Sequence, residues 1–494
     1  MKDSPLGSDS GHSPRLLDER SLDPSDWEEF RKLAHQALDE AIHFLETVRD
    51  RPVWEKVPEG IRAKLSAPLP KEGTPLAEVY QEFTENILPY ATGNIHPRFF
   101  GWVHGSGQAG NLVAELLGAA MNSNCGGRDH GAIYVEREVI NWFRNLFGFP
   151  SETAGLIVSG TSMASLIALG VARNSMSENM RENGMKGLLR NLTAYTSTEV
   201  HDSAVKAFEI LGIGNSSLRK VSVNPDFTVD INALKQAIAD DRTAGYQPFC
   251  VIGSAGTVNT GAIDDLNQLA SVCAAEKLWF HVDGAFGALC MMSERLRPQL
   301  KGIERADSLG FDFHKWTHVQ YDAGCILVRD GDAYRAAYSM KPAYLRRAER
   351  GLAAGESWPC DYGPELSRSF RALKVWFAIK EHGTARFGEL IEQNCAQAEY
   401  LAHRIENEPL LELLAPVNLN IVCFRLRREG LDAAALDQLN KDIVADVQES
   451  GVAAPSTTRI KGRLAIRVNI TNHRTQRGDL DVLVDAVLNA GQMR

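Results

Sequence analysis

The chain has 494 residues, 44% hydrophobic and 23% charged, which excludes a fibrous or wholly disordered protein and suggests more than one domain. Its net charge of -10 is spread over both signs without a basic run, which argues against a nucleic-acid partner. The eight cysteines form no CxxC pair and no zinc-ligand spacing, so no metal is expected, and reduced thiols in a cytoplasmic protein are the simplest reading.

Residues 1–24 are polar and rich in Ser, Pro, Asp and Gly, lack the apolar run of a secretory signal, and read as a disordered tail. From Trp27 the pattern turns helical: Phe30, Leu33, Ala34, Ala37, Leu38, Ala41 and Phe44 recur at intervals of three and four. A second amphipathic stretch covers about 75–90, and the two make an N-terminal helical segment, 25–90, too small to enclose a core. Between about 110 and 330, strand-like runs (GLIVSG, LTAYTST, PFCVIGSAG, LWFHVDGAFG, GCILVRD) alternate with helical ones. That alternation predicts an α/β fold with a mostly parallel sheet in a large domain, 91–376, with ligands at the carboxyl ends of the strands. The most apolar run, 155–172, is broken by Gly160, Thr161 and Ser162, so it reads as strand, turn and helix and not as a membrane span. After SRSFRALKVWFAIKEHG come strand-like NIVCFRLR and RLAIRVNI with helical stretches at 386–407, 433–449 and 478–491, a smaller α+β domain, 377–494.

Four strand ends carry unlike polar groups. In VSGTSMAS, Thr161 and Ser162 at a helix start form either an anion site suited to phosphate or a plain N-cap. His201, in TSTEVHDSAV, precedes a helix and either stacks on a flat ligand or caps the helix. Asp283 ends the apolar run LWFHVD; a carboxylate there needs a cation, a metal, a protonated ring nitrogen or the hydrogen bonds of a turn. Lys315, in FDFHKWTH, is either a snorkelling surface lysine or a desolvated amine able to form a Schiff base, with His314 beside it for proton transfer. An anion site, a stacking ring, a buried acid and a reactive amine together match pyridoxal 5'-phosphate, with its phosphate, flat ring, ring nitrogen and aldehyde.

Over about 75–480 the chain resembles the group II pyridoxal-dependent amino-acid decarboxylases, the family of aromatic-L-amino-acid, histidine and glutamate decarboxylases. The resemblance rests on Ser308, Leu309, Lys315, Tyr321, Ala323, Ile326 and Arg329 around the lysine, with Thr317 standing where the family has an apolar residue. It extends to HVDGAFG, GTSMAS, GTVNTGAIDDL with Asp264, HPRFFGWV and RLAIRVNITNHRT. It implies a PLP-dependent transferase fold of type I and a homodimer with its active site at the subunit interface, the N-terminal segment wrapping the partner. It also implies that Lys315 forms the internal aldimine, Asp283 pairs with the pyridine nitrogen, His201 stacks on the ring, Thr161 and Ser162 hold the phosphate, Ala285 underlies the ring and His314 borders the lysine. The implied reaction is decarboxylation of an L-amino acid to carbon dioxide and an amine through an external aldimine and a quinonoid.

Laying the HPRFF block on the family places Asn94, Trp102, His104, Gly126 and Arg128 near the substrate, in a pocket more polar and, at Gly126, emptier than in the aromatic decarboxylases. Arg128 is expected either to bind a substrate carboxylate or to pair with Asp129 or Glu136. The family's loop tyrosine, which returns a proton to the intermediate, has Tyr362 as its nearest counterpart, about three residues closer to the following helix, while Tyr344 lies in another block. The alternatives are an aldehyde synthase, an aminotransferase-like enzyme and, in another class, a non-catalytic α/β binding protein. The expected partners are a small amino acid and a second copy of the chain, with no nucleic acid and no membrane.

Overall fold

The computed structural model describes residues 20–340, 348–355 and 357–494; most of the expected tail, residues 1–19, lies outside them, as does Tyr344. The central alternation folds into a seven-stranded sheet of β1 (Ala154–Val158), β2 (Leu192–Ser197), β3 (Leu218–Val221), β4 (Gln247–Ser254), β5 (Trp279–Asp283), β6 (Ser308–Asp312) and β7 (Gly324–Val328). Their order is β1-β7-β6-β5-β4-β2-β3. Only β7 runs against its neighbours, antiparallel to both β1 and β6. Two reversals restore the direction, so β1 points the same way as β6, and the carboxyl ends of β1, β2, β4, β5 and β6 open on one side. Every residue of β2, β6 and β7 is buried, the condition of a sheet covered on both faces by helices.

A second, antiparallel sheet is built from β8 (Leu411–Leu413), β9 (Ile421–Leu426), β10 (Ser456–Ile460) and β11 (Arg463–Asn469) in the order β10-β11-β9-β8. It packs its own core, including Phe424, Ile443, Val468 and Leu483, under the helices Ala433–Glu449 and Arg477–Met493. The long helix Arg371–Glu406 joins the two layers. Its residues up to Cys395 pack into the core of the large sheet, and Ala398, Leu401 and Ile405 pack into that of the small one. It is interrupted at Gly383, whose φ of 70° and ψ of 161° lie outside helical space.

One buried ion pair ties the base of this helix to the sheet. Arg368 faces Glu136 in bidentate fashion, Nη2 to Oε1 at 2.7 Å and Nη1 to Oε2 at 3.0 Å, and both residues are under 5% exposed. Nη1 also donates to the Cys125 carbonyl, while Glu136 accepts the Ile157 N–H of β1 at 3.1 Å. Buried charge is tolerable here because nearly every polar atom has a partner.

At the N-terminus, Asp26 caps the helix Trp27–Glu46 by accepting the N–H groups of Glu28 and Glu29. None of that helix's 20 residues is buried, and Trp27, Phe30, Leu38 and Ile42 are each more than one-third exposed. Among the described residues no helix is long and apolar enough to cross a membrane.

Candidate active site

At the open strand ends lies a cavity of about 290 Å³, walled by Thr161, Ser162, His201, Asp283, Ala285 and Lys315 together with Trp102, His104, Glu199, Thr257 and Asp312. A larger cleft of about 790 Å³ lies at the opposite end of β1, lined by residues such as Arg137, Thr153 and Arg335, and contains none of these groups.

Lys315 sits on a single helical turn, Phe313–Trp316, that follows β6. Phe313 and Trp316 are fully buried, and Trp316 Nε1 donates to Asn394 Oδ1 at 3.0 Å, which pins the turn and aims the lysine into the cavity. Its Nζ lies 2.9 Å from Asp312 Oδ2. Asp312 Oδ1 accepts the Thr161 N–H at 2.6 Å, so one carboxylate joins the lysine to the start of the helix Thr161–Asn174. Burial alone would raise the Asp312 carboxyl; Lys315, His314 and the hydrogen bonds bring it below the usual carboxylate range. Sequence reasoning misses Asp312, although it ends an apolar strand just as Asp283 does and stands three residues before the lysine. His314 is buried, accepts the Ala323 N–H on Nδ1 at 3.2 Å and packs on Tyr321 at 4.4 Å; burial, opposed by the Asp312 charge and aided by that of Lys315, pushes it down.

The turn before Thr161 is pressed against the lysine loop. A Cβ on Gly324 would stand 2.6 Å from the Gly160 Cα and 2.7 Å from Asp312 Oδ1, so β7 can pass only as glycine here. Within this tight packing Thr161 is 5% exposed, with its hydroxyl beside the Asp312 carboxylate. A helix start on the cavity wall, with the Ser162 side chain beside it, fits a phosphate. Asp283 is 9% exposed, and the Ala285 N–H at 3.2 Å is its one hydrogen bond among the described residues. Burial raises its pKa, with Lys315 and His201 opposing, so the site favours either a proton on the carboxyl or a cation against it. A protonated ring nitrogen meets that demand. His201 caps the helix Asp202–Ile210, its Nδ1 accepting the Ser203 N–H at 3.1 Å, and it also lines the cavity wall. The residues present therefore fit pyridoxal 5'-phosphate.

The outer wall differs more from expectation. Trp102 and His104 line the cavity as a stack, His104 lying 5.7 Å from Trp102 and 5.5 Å from Phe99. Burial, then the Lys315 and His314 charges, push His104 down. Arg128 does not line the cavity; its guanidinium lies over Trp358 at 4.5 Å. Its expected acidic partners are engaged elsewhere, Glu136 by Arg368 and Asp129 by the Tyr134 hydroxyl. Tyr362 is also turned away, donating to Ser357 Oγ at 3.0 Å and lining the larger cleft. The space expected at Gly126 is filled, because a Cβ there would fall 1.8 Å from the Leu366 carbonyl oxygen. Asn94 acts from behind the wall, donating to the Gly105 carbonyl at 2.8 Å. Thr317 is buried and donates to the Phe313 carbonyl, which satisfies the hydroxyl that replaces an apolar side chain. Arg467, 3% exposed, braces the wall from the second sheet by donating to the carbonyls of Trp102 and Val258.

The family described as the pyridoxal-dependent decarboxylase conserved domain matches residues 58–427. The aromatic-L-amino-acid decarboxylase of Bacillus atrophaeus is 36% identical over 452 residues, covering 91% of this chain and 92% of its own. The crystal structure of Oryza sativa TDC with PLP and tryptamine aligns with a TM-score of 0.88 at 24% identity over 96% of this chain and 99% of that one. That of Rhodiola rosea 4-hydroxyphenylacetaldehyde synthase aligns with a TM-score of 0.83 at 24% identity, covering 95% and 99%.

Proposed function

Because the chain belongs to the pyridoxal-dependent decarboxylase family and is a pyridoxal-phosphate-dependent amino-acid decarboxylase, we propose that its cavity residues divide the work as follows. Thr161 and Ser162 hold the phosphate, His201 stacks on the ring above Ala285, Asp283 keeps a proton on the ring nitrogen and Lys315 is the reactive amine. Bound there, the cofactor supplies an aldehyde carbon that condenses with amines and a ring that takes up the electrons released as carbon dioxide leaves. Asp312 holds the Lys315 ammonium while the amine is free. His314, wedged between Asp312 and Tyr321, fixes the turn that carries the lysine. The observation that carries this reading is that Lys315, Asp283, His201 and the start of the helix Thr161–Asn174 wall one cavity.

The proposed product is the amine of an L-amino acid. The 36% identity to the Bacillus atrophaeus enzyme supports an aromatic side chain, and Trp102 with His104 offers a flat face for one. A second reading, oxidative release of an aldehyde, is favoured by the orientation of Tyr362, the nearest counterpart of the loop tyrosine, which among the described residues points away from the cavity. Incubation of the cofactor-loaded protein with a panel of amino acids, measuring carbon dioxide, amine, ammonia and oxygen uptake, tests both. Amine and carbon dioxide in equal amounts without oxygen uptake support decarboxylation. Ammonia with peroxide supports the second reading, and no reaction with any amino acid removes both.

The working unit is a homodimer. Its support is the uncovered apolar stripe of the helix Trp27–Glu46 together with exposed Val113, Leu116, Leu117 and Met121 on the helix Gly110–Met121, more apolar surface than a monomer keeps. Sedimentation of the full chain as a monomer at micromolar concentration contradicts this. Seven of the eight cysteines are buried, in keeping with a reducing compartment such as the cytoplasm.

A further inference from the structure

Glu199 is the wall residue to which the chemistry above gives no task. It lies two residues beyond β2 and two before His201, and its side chain lines the cavity beside Trp102, His104 and Val258. Its orientation is set from outside. The Thr458 hydroxyl of β10 donates to Asn259 Oδ1 at 2.7 Å, which leaves the Asn259 amide to donate to Glu199 Oε2 at 3.0 Å. Asn259 is itself held by the Cys423 thiol, which donates to its carbonyl at 3.3 Å. The second carboxylate oxygen, Oε1, accepts no hydrogen bond among the described residues, and no cation there lies within ion-pair distance of it.

The other two wall carboxylates have partners: Asp312 pairs with Lys315, and Asp283 is assigned to the ring nitrogen. The nearby Arg467 guanidinium is committed to the carbonyls of Trp102 and Val258 and stays outside the wall. The outer cavity is thus an aromatic face with one oriented acceptor. We propose that Glu199 determines specificity: it receives a hydrogen bond from a donor group on the substrate side chain, such as an indole or imidazole N–H or a phenol O–H, and excludes acidic side chains. This rests on the decarboxylase reading of the cavity, since it needs the substrate amine at Lys315.

A hydrogen bond to a charged acceptor is worth about one to two orders of magnitude in binding. Equilibrium binding of matched amines to the cofactor-loaded protein, read by the change in its visible spectrum, isolates this contact from turnover. The pairs are tyramine with phenethylamine and tryptamine with 1-methyltryptamine. The native protein is expected to prefer the donor-bearing member of at least one pair by roughly tenfold or more. Glu199→Leu is expected to abolish that preference, Glu199→Gln to weaken it and Glu199→Asp to keep part of it. Competition by L-glutamate against decarboxylation is expected to appear only in Glu199→Leu. A donor preference of the same size in Glu199→Leu, or no preference in the native protein while amines still bind, overturns the proposal and leaves the decarboxylase reading standing. Absence of any spectral response to amines or amino acids overturns the reading beneath it. A general loss of stability through the Asn259 and Thr458 contacts would lower affinity for both members of a pair and leave their ratio unchanged, so the ratio decides.

Discussion

Replacing Glu136 with Ala removes the bidentate carboxylate facing Arg368 and leaves a guanidinium that is 4% exposed with carbonyl partners and the more distant Glu365 at 3.9 Å. It also strips the Ile157 N–H of its acceptor on β1. Removing one member of a buried ion pair costs about 3–5 kcal/mol. Unfolding entropy of about 2 cal/mol/K per residue gives a chain of 494 residues about 1 kcal/mol/K, so the melting temperature should fall by about 3–5 °C. Differential scanning calorimetry of the cofactor-free protein, at one fixed concentration and scan rate, measures it. Glu136→Leu combined with Arg368→Met removes both charges and is expected to recover at least half of the loss. A drop under 1 °C for Glu136→Ala, or a double variant no better than the single, refutes the reasoning. Because Ile157 leads through Val158 into the turn at Gly160, Glu136→Ala should also weaken cofactor affinity, which the double variant need not restore.

Thr161→Val removes the hydroxyl at constant shape. Cofactor affinity should fall about tenfold or more; unchanged affinity by equilibrium dialysis would remove Thr161 from the phosphate site. Lys315→Ala should leave no borohydride-fixed adduct with the cofactor, detectable by mass spectrometry of the intact chain, and survival of the adduct would place the reactive amine elsewhere. Acidification should destabilise the fold. His96, His281 and His473 are pushed down to about 4 by burial, so below about pH 6.5 the unfolded chain takes up protons that the native protein refuses. Each histidine contributes about 3 kcal/mol that is present above its unfolded pKa and lost as pH falls toward 4. Asp264, raised to about 6 by burial, acts in the opposite sense over the same interval, as do Asp283 and Asp307, but against them stand six histidines, His104, His314 and His318 being pushed down as well. A melting temperature that rises between pH 7 and pH 5 would contradict this balance.

How much of this was legible before folding depended on where each signal lay. Strands β1, β2, β4, β5 and β7 announce themselves because a doubly covered sheet demands continuous apolar runs. β6 is masked by Gly310 and by its short polar-ended sequence SLGFD, and β3, an edge strand reading LRKV, looks like surface. β10 is equally polar on one side, with Thr457 and Arg459 exposed. In the site, Lys315, Asp283 and His201 stand out because each is a polar residue ending or following an apolar run. Asp312 gains its meaning only from Thr161, 151 positions earlier in the chain, and Glu199 from Asn259 and Thr458, and no local pattern encodes such pairs. Arg128 and Tyr362 fail because their side chains are captured by Trp358 and Ser357, contacts that no local pattern announces.

The contact between Asp312 and Lys315 bears on how such a protein is made. An ammonium whose counter-ion stands three residues away can be buried while the chain is still folding, before any small molecule arrives. The same carboxylate fastens the start of the neighbouring helix, so the lysine turn and the helix start are tied together by the chain's own charge.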